Sequence, residues 1–530
     1  MSAPAPTLAW DEPASGPAAA TTSGLPGGYR RTALTGYAYT AAALVVAVVA
    51  TPVLARALGP TSFGIWSLVG SSVSYLEVLE LGFGAATVSY VAERAAARDR
   101  EGVRRVVATS FWVLAAPGGV GLVLSLLAAW AAPSVLDLAP GDVAPTRALI
   151  VLLAVDLAVS IPSDSFGGAL AGLRRLDLVN SSLVVGLLLT AAGWFVVLAL
   201  GGGIVALGVV TAVIGLGGQG ARFLLARRLV PGLSVRPRLV QRSTASAMSR
   251  LSGWFALSDV NRVVVQRLDI LLVGAVVGVA PAGIYAVGQK LALLIAKCAE
   301  PATAVLFPHS AELLARGDRE GLRSALLVGS RLTLAVAVPL AAGLAWFARP
   351  LLELWVGQGY GDATRVVVLL ALAAVAGSLA TCVQLVLKGM RRARAAAGGA
   401  TADALVNLTL SVLLGRLLGA WGVALATLVA ATVAAAVLVP AACRAVGVRP
   451  LLLFGSLLRA HLPPLAVAAA AALASRALLP HPGLLVLPLA GGVVTLHLLL
   501  LARTALDPAE RQALAGRLGR LVPRRRTGVR

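Results

Sequence analysis

The loops between the long apolar runs of this chain alternate between arginine-rich and arginine-poor. One set holds Arg94, Arg98, Arg100, Arg104 and Arg105, then Arg174 and Arg175, then a run of seven from Arg222 to Arg250. It continues with Arg316, Arg319 and Arg323, then Lys388, Arg391, Arg392 and Arg394, then Arg444, Arg449 and Arg459. The intervening set holds only Arg56, Arg147, Arg349, Arg365, Arg416 and Arg476. A chain threaded repeatedly through a bilayer, with its basic loops in the cytoplasm, has this pattern. Arg30 and Arg31 precede the first apolar run and further arginines follow the last. Both termini are therefore expected in the cytoplasm, and the number of spans is expected to be even.

Composition agrees. The chain is 58% hydrophobic and only 13% charged, with a mean hydropathy of +0.88; soluble domains carry about 25% charged residues. A net charge of +22 would suit a nucleic-acid partner if it were clustered. Here it is spread through short membrane-flanking loops, where anionic headgroups are the expected counterpart and nucleic acid is not. Cys298, Cys382 and Cys443 lie in or beside apolar runs, with no metal-ligand or disulfide spacing.

A helix needs about 20 apolar residues to cross the bilayer. On that measure we expect an all-α polytopic membrane protein of fourteen spans, at about 33–57, 65–91, 107–132, 147–170, 178–199, 203–226, 251–278, 283–308, 324–347, 364–387, 398–417, 420–441, 455–477 and 483–502. The 178–226 stretch is divided at Gly201-Gly202-Gly203, because one long helix there would break the charge alternation. The outer loops are short, which leaves no extracytoplasmic domain to carry a catalytic site.

An internal repeat divides the chain. Residues 58–68, LGPTSFGIWSL, match residues 277–287, VGVAPAGIYAV, without a gap: Gly59 with Gly278, Gly64 with Gly283, Ile65 with Ile284, Trp66 with Tyr285. Both are outer turns, one after the first span and one after the seventh. Two six-helix bundles related by a pseudo-two-fold axis follow. The expected organisation is a disordered cytoplasmic tail (1–31), a first bundle (32–227), a cytoplasmic inter-lobe loop (228–250), a second bundle (251–441), two additional helices (442–503) and a basic cytoplasmic tail (504–530). In transporters with such repeats the substrate site lies between the halves.

Ionisable residues within spans are expensive and mark pathways or binding sites. Five basic residues fall there, all in the second half: Arg262, Arg267, Lys290, Lys297 and Arg331. Asp259, Arg262, Gln266 and Asp269 are spaced three, four and three apart and share one helix face. Span 8 adds Lys290 and Lys297 on one face and then Glu300. In the first half, span 4 carries Asp156, Ser160 and Asp164 at successive turns, and span 2 carries Glu77 and Glu80. One reading is an aqueous cavity, cationic on its second-half side and suited to phosphate, with the carboxylates as candidate proton or sodium sites. The alternative is internal ion pairing, for which Asp259–Arg262 and Lys297–Glu300 have the right i, i+3 spacing. His309, His461, His481 and His497 are scattered, and His461 reads as structural. Walker A, HExxH and GxSxG-triad patterns are absent, so no metal, cofactor or enzymatic chemistry is expected.

Several segments resemble the Wzx-type polysaccharide flippases of the multidrug/oligosaccharidyl-lipid/polysaccharide exporter superfamily. They are LARALGPTSFGIWSL with YLEVLELGFGAATVSYVAER (75–94), QRLDILLVGAVVGVAPAGIYAVGQKL (266–291), LLELWVGQGYGDAT (351–364) and LLGAWGVALATLVA (417–430). Where that family often has Asp-Leu-Gly, this chain has Glu80-Leu81-Gly82. The resemblance covers about 30–500. It implies a pair of bundles working by alternating access in the cytoplasmic (inner) membrane. The implied cargo is an undecaprenyl-diphosphate-linked oligosaccharide, and the implied partners are that lipid-linked oligosaccharide, the bilayer and polysaccharide polymerase machinery. A lipid II flippase and a multidrug antiporter of the same superfamily are the alternatives; five basic residues argue against cationic drugs.

Overall fold

A computed structural model describes residues 27–76, 80, 83–249, 269–478 and 485–504. Among these residues the chain is helical throughout, with no strand. It forms two compact units, Met1–Ala286 and Val287–Arg530. The first contains α1 (Gly27–Leu76), α2 (Phe83–Ala96), α3 (Arg100–Val135), α4 (Pro140–Gly172), α5 (Leu176–Ala199) and α6 (Ile204–Leu229). Helix α7 (Val279–Ala304) begins in the first unit and ends in the second. The second continues with α8 (Leu306–Ala315), α9 (Arg319–Trp346), α10 (Ala348–Trp355), α11 (Ala363–Gly389), α12 (Ala393–Leu418), α13 (Ala420–Val446), α14 (Pro450–Leu478) and α15 (Val486–Thr504).

Eleven of the described helices are long and apolar enough to span a membrane. Three places separate that number from the expected fourteen. Expected spans 1 and 2 share α1, which bends at Gly59 (φ 72°) instead of breaking. Most of 251–278 lies outside the described residues. The last apolar helix, Val486–Leu501, is shorter than the others. The 178–226 stretch is two helices, with Gly201 at φ 78° in the turn between them. Residues 349–364 are folded: α10 leads into a short 3-10 turn at Gln358–Tyr360, whose Tyr360 is buried, which pushes its phenol pKa up.

Five basic-side connections end their helices in the same way. Arg98, Arg174 and Arg391 take left-handed conformations (φ 56°, 60° and 58°), as do Gly317 and Gly447. The next residue's amide reaches five residues back in each case: Asp99 to Arg94, Arg175 to Leu170, Asp318 to Leu313, Arg392 to Leu387, Val448 to Cys443. This is the Schellman arrangement, which satisfies helix-end carbonyls within a very short turn. Three of the five use arginine where glycine is favoured. Arginine in this conformation carries the strain of a Cβ that glycine avoids.

The structure also uncovers a second repeat. Asp99-Arg100-Glu101-Gly102 and Asp318-Arg319-Glu320-Gly321 open α3 and α9, separated by the same interval as Gly59 and Gly278. Asp99 caps α3 by accepting from the Gly102 amide at 2.7 Å, and Asp318 caps α9 by accepting from Gly321 at 2.8 Å. Glu101 pairs with Arg104 at 3.2 Å, and Glu320 with Arg323 at 3.3 Å. Each arginine also donates to a carbonyl in the turn after the sixth helix of its repeat: Arg104 to Pro231 (2.9 Å from Nε), Arg323 to Gly447 (3.0 Å). Packing follows suit. In the first unit α4 packs on α3, α2 and α6; in the second, α11 packs on α9, α8 and α13.

Segment 230–241 is not a free linker. Trp112 donates to the Val235 carbonyl at 2.8 Å, and the Gln241 amide donates to Thr109 at 3.1 Å. Val230 and Leu233 are buried in a core with Val106, Phe166 and Leu170. The core of the second unit is built from small side chains of α13, such as Ala434, Ala435 and Ala442, against Leu379, Val383 and Leu387 of α11. Small residues allow the close helix approach on which packing in membranes depends.

Candidate functional site

The expected polar residues of span 4 do lie together, on a seam between α4 and α6. Asp156, Ser160 and Asp164 follow one face of α4 at successive turns. Opposite them α6 presents Thr211, Gly215, Gln219 and Arg222. Asp164 accepts from Arg222 Nη1 at 3.2 Å, and the Arg222 side chain is only 14% exposed. Gly215 leaves room for the Asp156 carboxylate, which a Cβ there would displace. Gln219, one turn on, is 7% exposed. Nearer the N-terminal end of α6, Trp194 donates to Thr211 at 3.0 Å and meets Trp66 edge-on at 5.5 Å. Pro162 in the middle of α4 has no N–H for the Ala158 carbonyl, and Gly118 of α3 packs against that carbonyl and the proline ring.

Arg222 is the residue that sequence reasoning misplaced. Counted with the basic loop, it proved to belong to the buried face of α6, seven residues before the helix end at Leu229. The two acids of α4, Asp156 and Asp164, eight residues apart on one face, were themselves the signal that a cation was needed opposite.

Asp269 is 4% exposed and accepts a hydrogen bond from Tyr285 at 2.9 Å. Close by, Gly64 and Gly283, paired in the sequence repeat, pack against each other's turns. A Cβ on Gly64 would lie 2.1 Å from the Val279 carbonyl oxygen, and one on Gly283 would lie 2.3 Å from that of Pro60. The aligned glycines are thus partners in one close backbone crossing.

In the second unit Lys297 pairs with Glu300 at 2.8 Å on the helix surface, the i, i+3 pairing that the spacing allowed. Lys290 is half-buried on α7 and Arg331 half-buried on α9. Glu77, Asp259, Arg262, Gln266 and Arg267 lie outside the described residues. Two histidines that look scattered in sequence meet in space: His461 and His497 stack with ring centroids 6.3 Å apart. No group of three metal-ligating side chains occurs among the described residues.

A membrane-embedded seam of this sort is compatible with many cargoes, so the comparisons with known proteins decide the family. The model of a family described as polysaccharide biosynthesis protein matches residues 53–365. The chain belongs to this polysaccharide biosynthesis family. The uncharacterized membrane protein EpsK of Bacillus subtilis (strain 168) is 23% identical over 326 residues. That match takes in 58% of this chain and 62% of EpsK, so it spans less than two thirds of the relative. Among solved structures, an inward-facing multidrug-resistance MATE family transporter of the MOP superfamily superposes with a TM-score of 0.67 at 16% identity, over 76% of this chain and 94% of its own. The lipid II flippase MurJ, inward closed, gives 0.67 at 12% identity, over 89% and 98%. At such identities the likeness establishes the fold: this member of the polysaccharide biosynthesis family is a multi-pass membrane protein with the fold that these two structures share.

Proposed function

We propose that the chain is a transporter and not an enzyme, flipping undecaprenyl-diphosphate-linked oligosaccharide units across the cytoplasmic membrane by alternating access. The observation that carries this reading is the family match combined with five basic residues in the expected spans 7 to 9. Arg262, Arg267, Lys290, Lys297 and Arg331 are the proposed contacts for the diphosphate, since guanidinium and ammonium groups suit phosphate oxygens. Asp156 and Asp164, with Glu77, Asp259, Gln266, Asp269 and Glu300, are the proposed polar and ion-coupling complement. The proposed bundles are 32–227 and 251–441, with 442–503 appended and both termini in the cytoplasm; the matching capped openings of α3 and α9 support that division. Polysaccharide polymerase machinery is the proposed downstream partner.

The test is a flipping assay with the full chain in proteoliposomes, using fluorescent polyprenyl-diphosphate oligosaccharide and a membrane-impermeant quencher. Protein-dependent loss of protected fluorescence is expected, and Lys290→Gln and Arg331→Gln should reduce it at equal protein incorporation. No flipping of any polyprenyl-diphosphate glycan would overturn the reading. The MurJ-like architecture favours one alternative, a lipid II flippase. Flipping of lipid II in preference to other glycans would select it.

A further inference from the structure

The stacked histidines lie away from the seam of the first unit, on α14 and α15 where these pack on α9. His461 is 7% exposed and His497 fully buried. None of the four ring nitrogens has a hydrogen-bond partner. His461 lies near the backbone of Arg331. Arg331 and His461 each sit roughly three helical turns from the basic-side starts of α9 and α14, at Arg319 and Pro450. His497 is about two turns from Thr504, the end of α15 as described. The 6.3 Å stacking sets the two rings side by side within the helical packing.

Two imidazoles without partners are a costly way to fill a helix interface that alanine and leucine fill elsewhere in this unit. Buried polar atoms left unsatisfied mark strain or function. Histidine is also the side chain whose charge changes most readily near neutral pH.

We propose that His461 and His497 form a single proton-binding site whose charge state sets the packing of α14 and α15 on α9. The surroundings define how it acts. From α9, Arg331 brings its backbone near His461. On α10, Arg349 and Glu353 pair with each other at the other end of the neighbouring helices. Helix α13 has no charged residue before Arg444, and Arg459 of α14 is exposed. No carboxylate faces the rings among the described residues. One proton on either ring creates an imidazolium inside an apolar interface, beside a second imidazole and with the backbone of Arg331 as its polar neighbour. The packed arrangement tolerates the neutral pair; the protonated pair gains by letting water or a lipid phosphate reach the rings, which requires the helices to part. A second proton would bring two like charges together, so the site takes one. The ligand is the proton itself, and the assignment holds whichever lipid-linked cargo is carried.

The test needs no cargo. The full chain in nanodiscs, with histidine labelled in ¹³C and ¹⁵N, carries four histidines, assigned with His461→Phe and His497→Phe. The rings of His461 and His497 are expected to titrate together, taking up one proton per chain as the pH is lowered. Backbone hydrogen exchange in α14 and α15, corrected for intrinsic pH dependence, should be about tenfold faster in the protonated form. That difference should vanish in the double variant His461→Phe, His497→Phe, which keeps two stacked rings. Two independent titrations, no titration, or the same exchange difference in the double variant would each overturn the proposal. If the double variant does not fold, the wild-type titration alone decides. Loss of flipping with an intact titration would count against the transport reading and leave the proton site standing.

Discussion

The ion pair in the seam makes the sharpest prediction. Arg222 is 14% exposed and Asp164 40% exposed, at 3.2 Å. Removing one member of a buried pair costs about 3–5 kcal/mol, whereas exposed pairs are worth about 0–1 kcal/mol. The partners differ in what happens to the survivor. A stranded carboxylate can neutralise itself by taking up a proton; a stranded guanidinium keeps its charge. Asp164→Asn, which leaves the more buried arginine uncompensated, should therefore cost about 3 kcal/mol, the low end of the buried range because Asp164 is partly exposed. Arg222→Gln should cost about 1 kcal/mol. The double variant should lie close to Arg222→Gln alone, giving a coupling of about 3 kcal/mol in magnitude in the cycle. Equilibrium unfolding in mixed micelles of mild and denaturing detergent measures all four corners. A larger loss for Arg222→Gln than for Asp164→Asn, or a coupling below about 0.5 kcal/mol, would refute the reasoning.

Other positions are tested more briefly. Gly64→Ala and Gly283→Ala each drive a methyl group into a carbonyl oxygen and should prevent accumulation of folded protein, while Gly70→Ala, with nothing within 4 Å, should be tolerated; expression and gel filtration separate the outcomes. Asp99→Ala and Asp318→Ala should each lower stability by about 1 kcal/mol, as lost helix caps do, and a tenfold disparity in unfolding constant between them would contradict the equivalence of the two capped openings. Tyr285→Phe removes the 2.9 Å bond to Asp269 and should cost about 1–2 kcal/mol, read by the same unfolding assay.

Much of the fold was legible because loop charge and apolar length are decided residue by residue against the bilayer. The division at Gly201, the bend at Gly59 and the Lys297–Glu300 pair all follow from local patterns. What escaped needed tertiary knowledge. Arg222 reads as a loop cation until α6 is seen to run on to Leu229. Helix α10 and its 3-10 turn are too short for a hydropathy reading. His461 and His497 become neighbours only because α14 and α15 form a hairpin. The Asp-Arg-Glu-Gly repeat was visible in the letters, but its meaning depends on each arginine reaching the end of a helix more than a hundred residues away.

The two repeats share their fastenings and differ in their seams. Both open the third helix with an aspartate cap and tie its first turn to the turn after the sixth. Anchored on the left-handed Arg174 and Arg391, α4 and α11 align so that Asp156 and Asp164 correspond to Ala373 and Thr381. Helix α13, which packs on α11 as α6 packs on α4, holds no cation before Arg444. The polar seam is thus a property of the first unit alone, whereas the second carries Lys290, Arg331 and the histidine pair on its α7, α9, α14 and α15. A duplicated scaffold whose fastenings match needs no polar residues inside its helical interfaces for stability, since α11 and α13 pack through apolar side chains in the same arrangement. The charges inside each unit are therefore differences laid on a common frame, and differences of that kind are where separate tasks, for cargo and for ions, are to be sought.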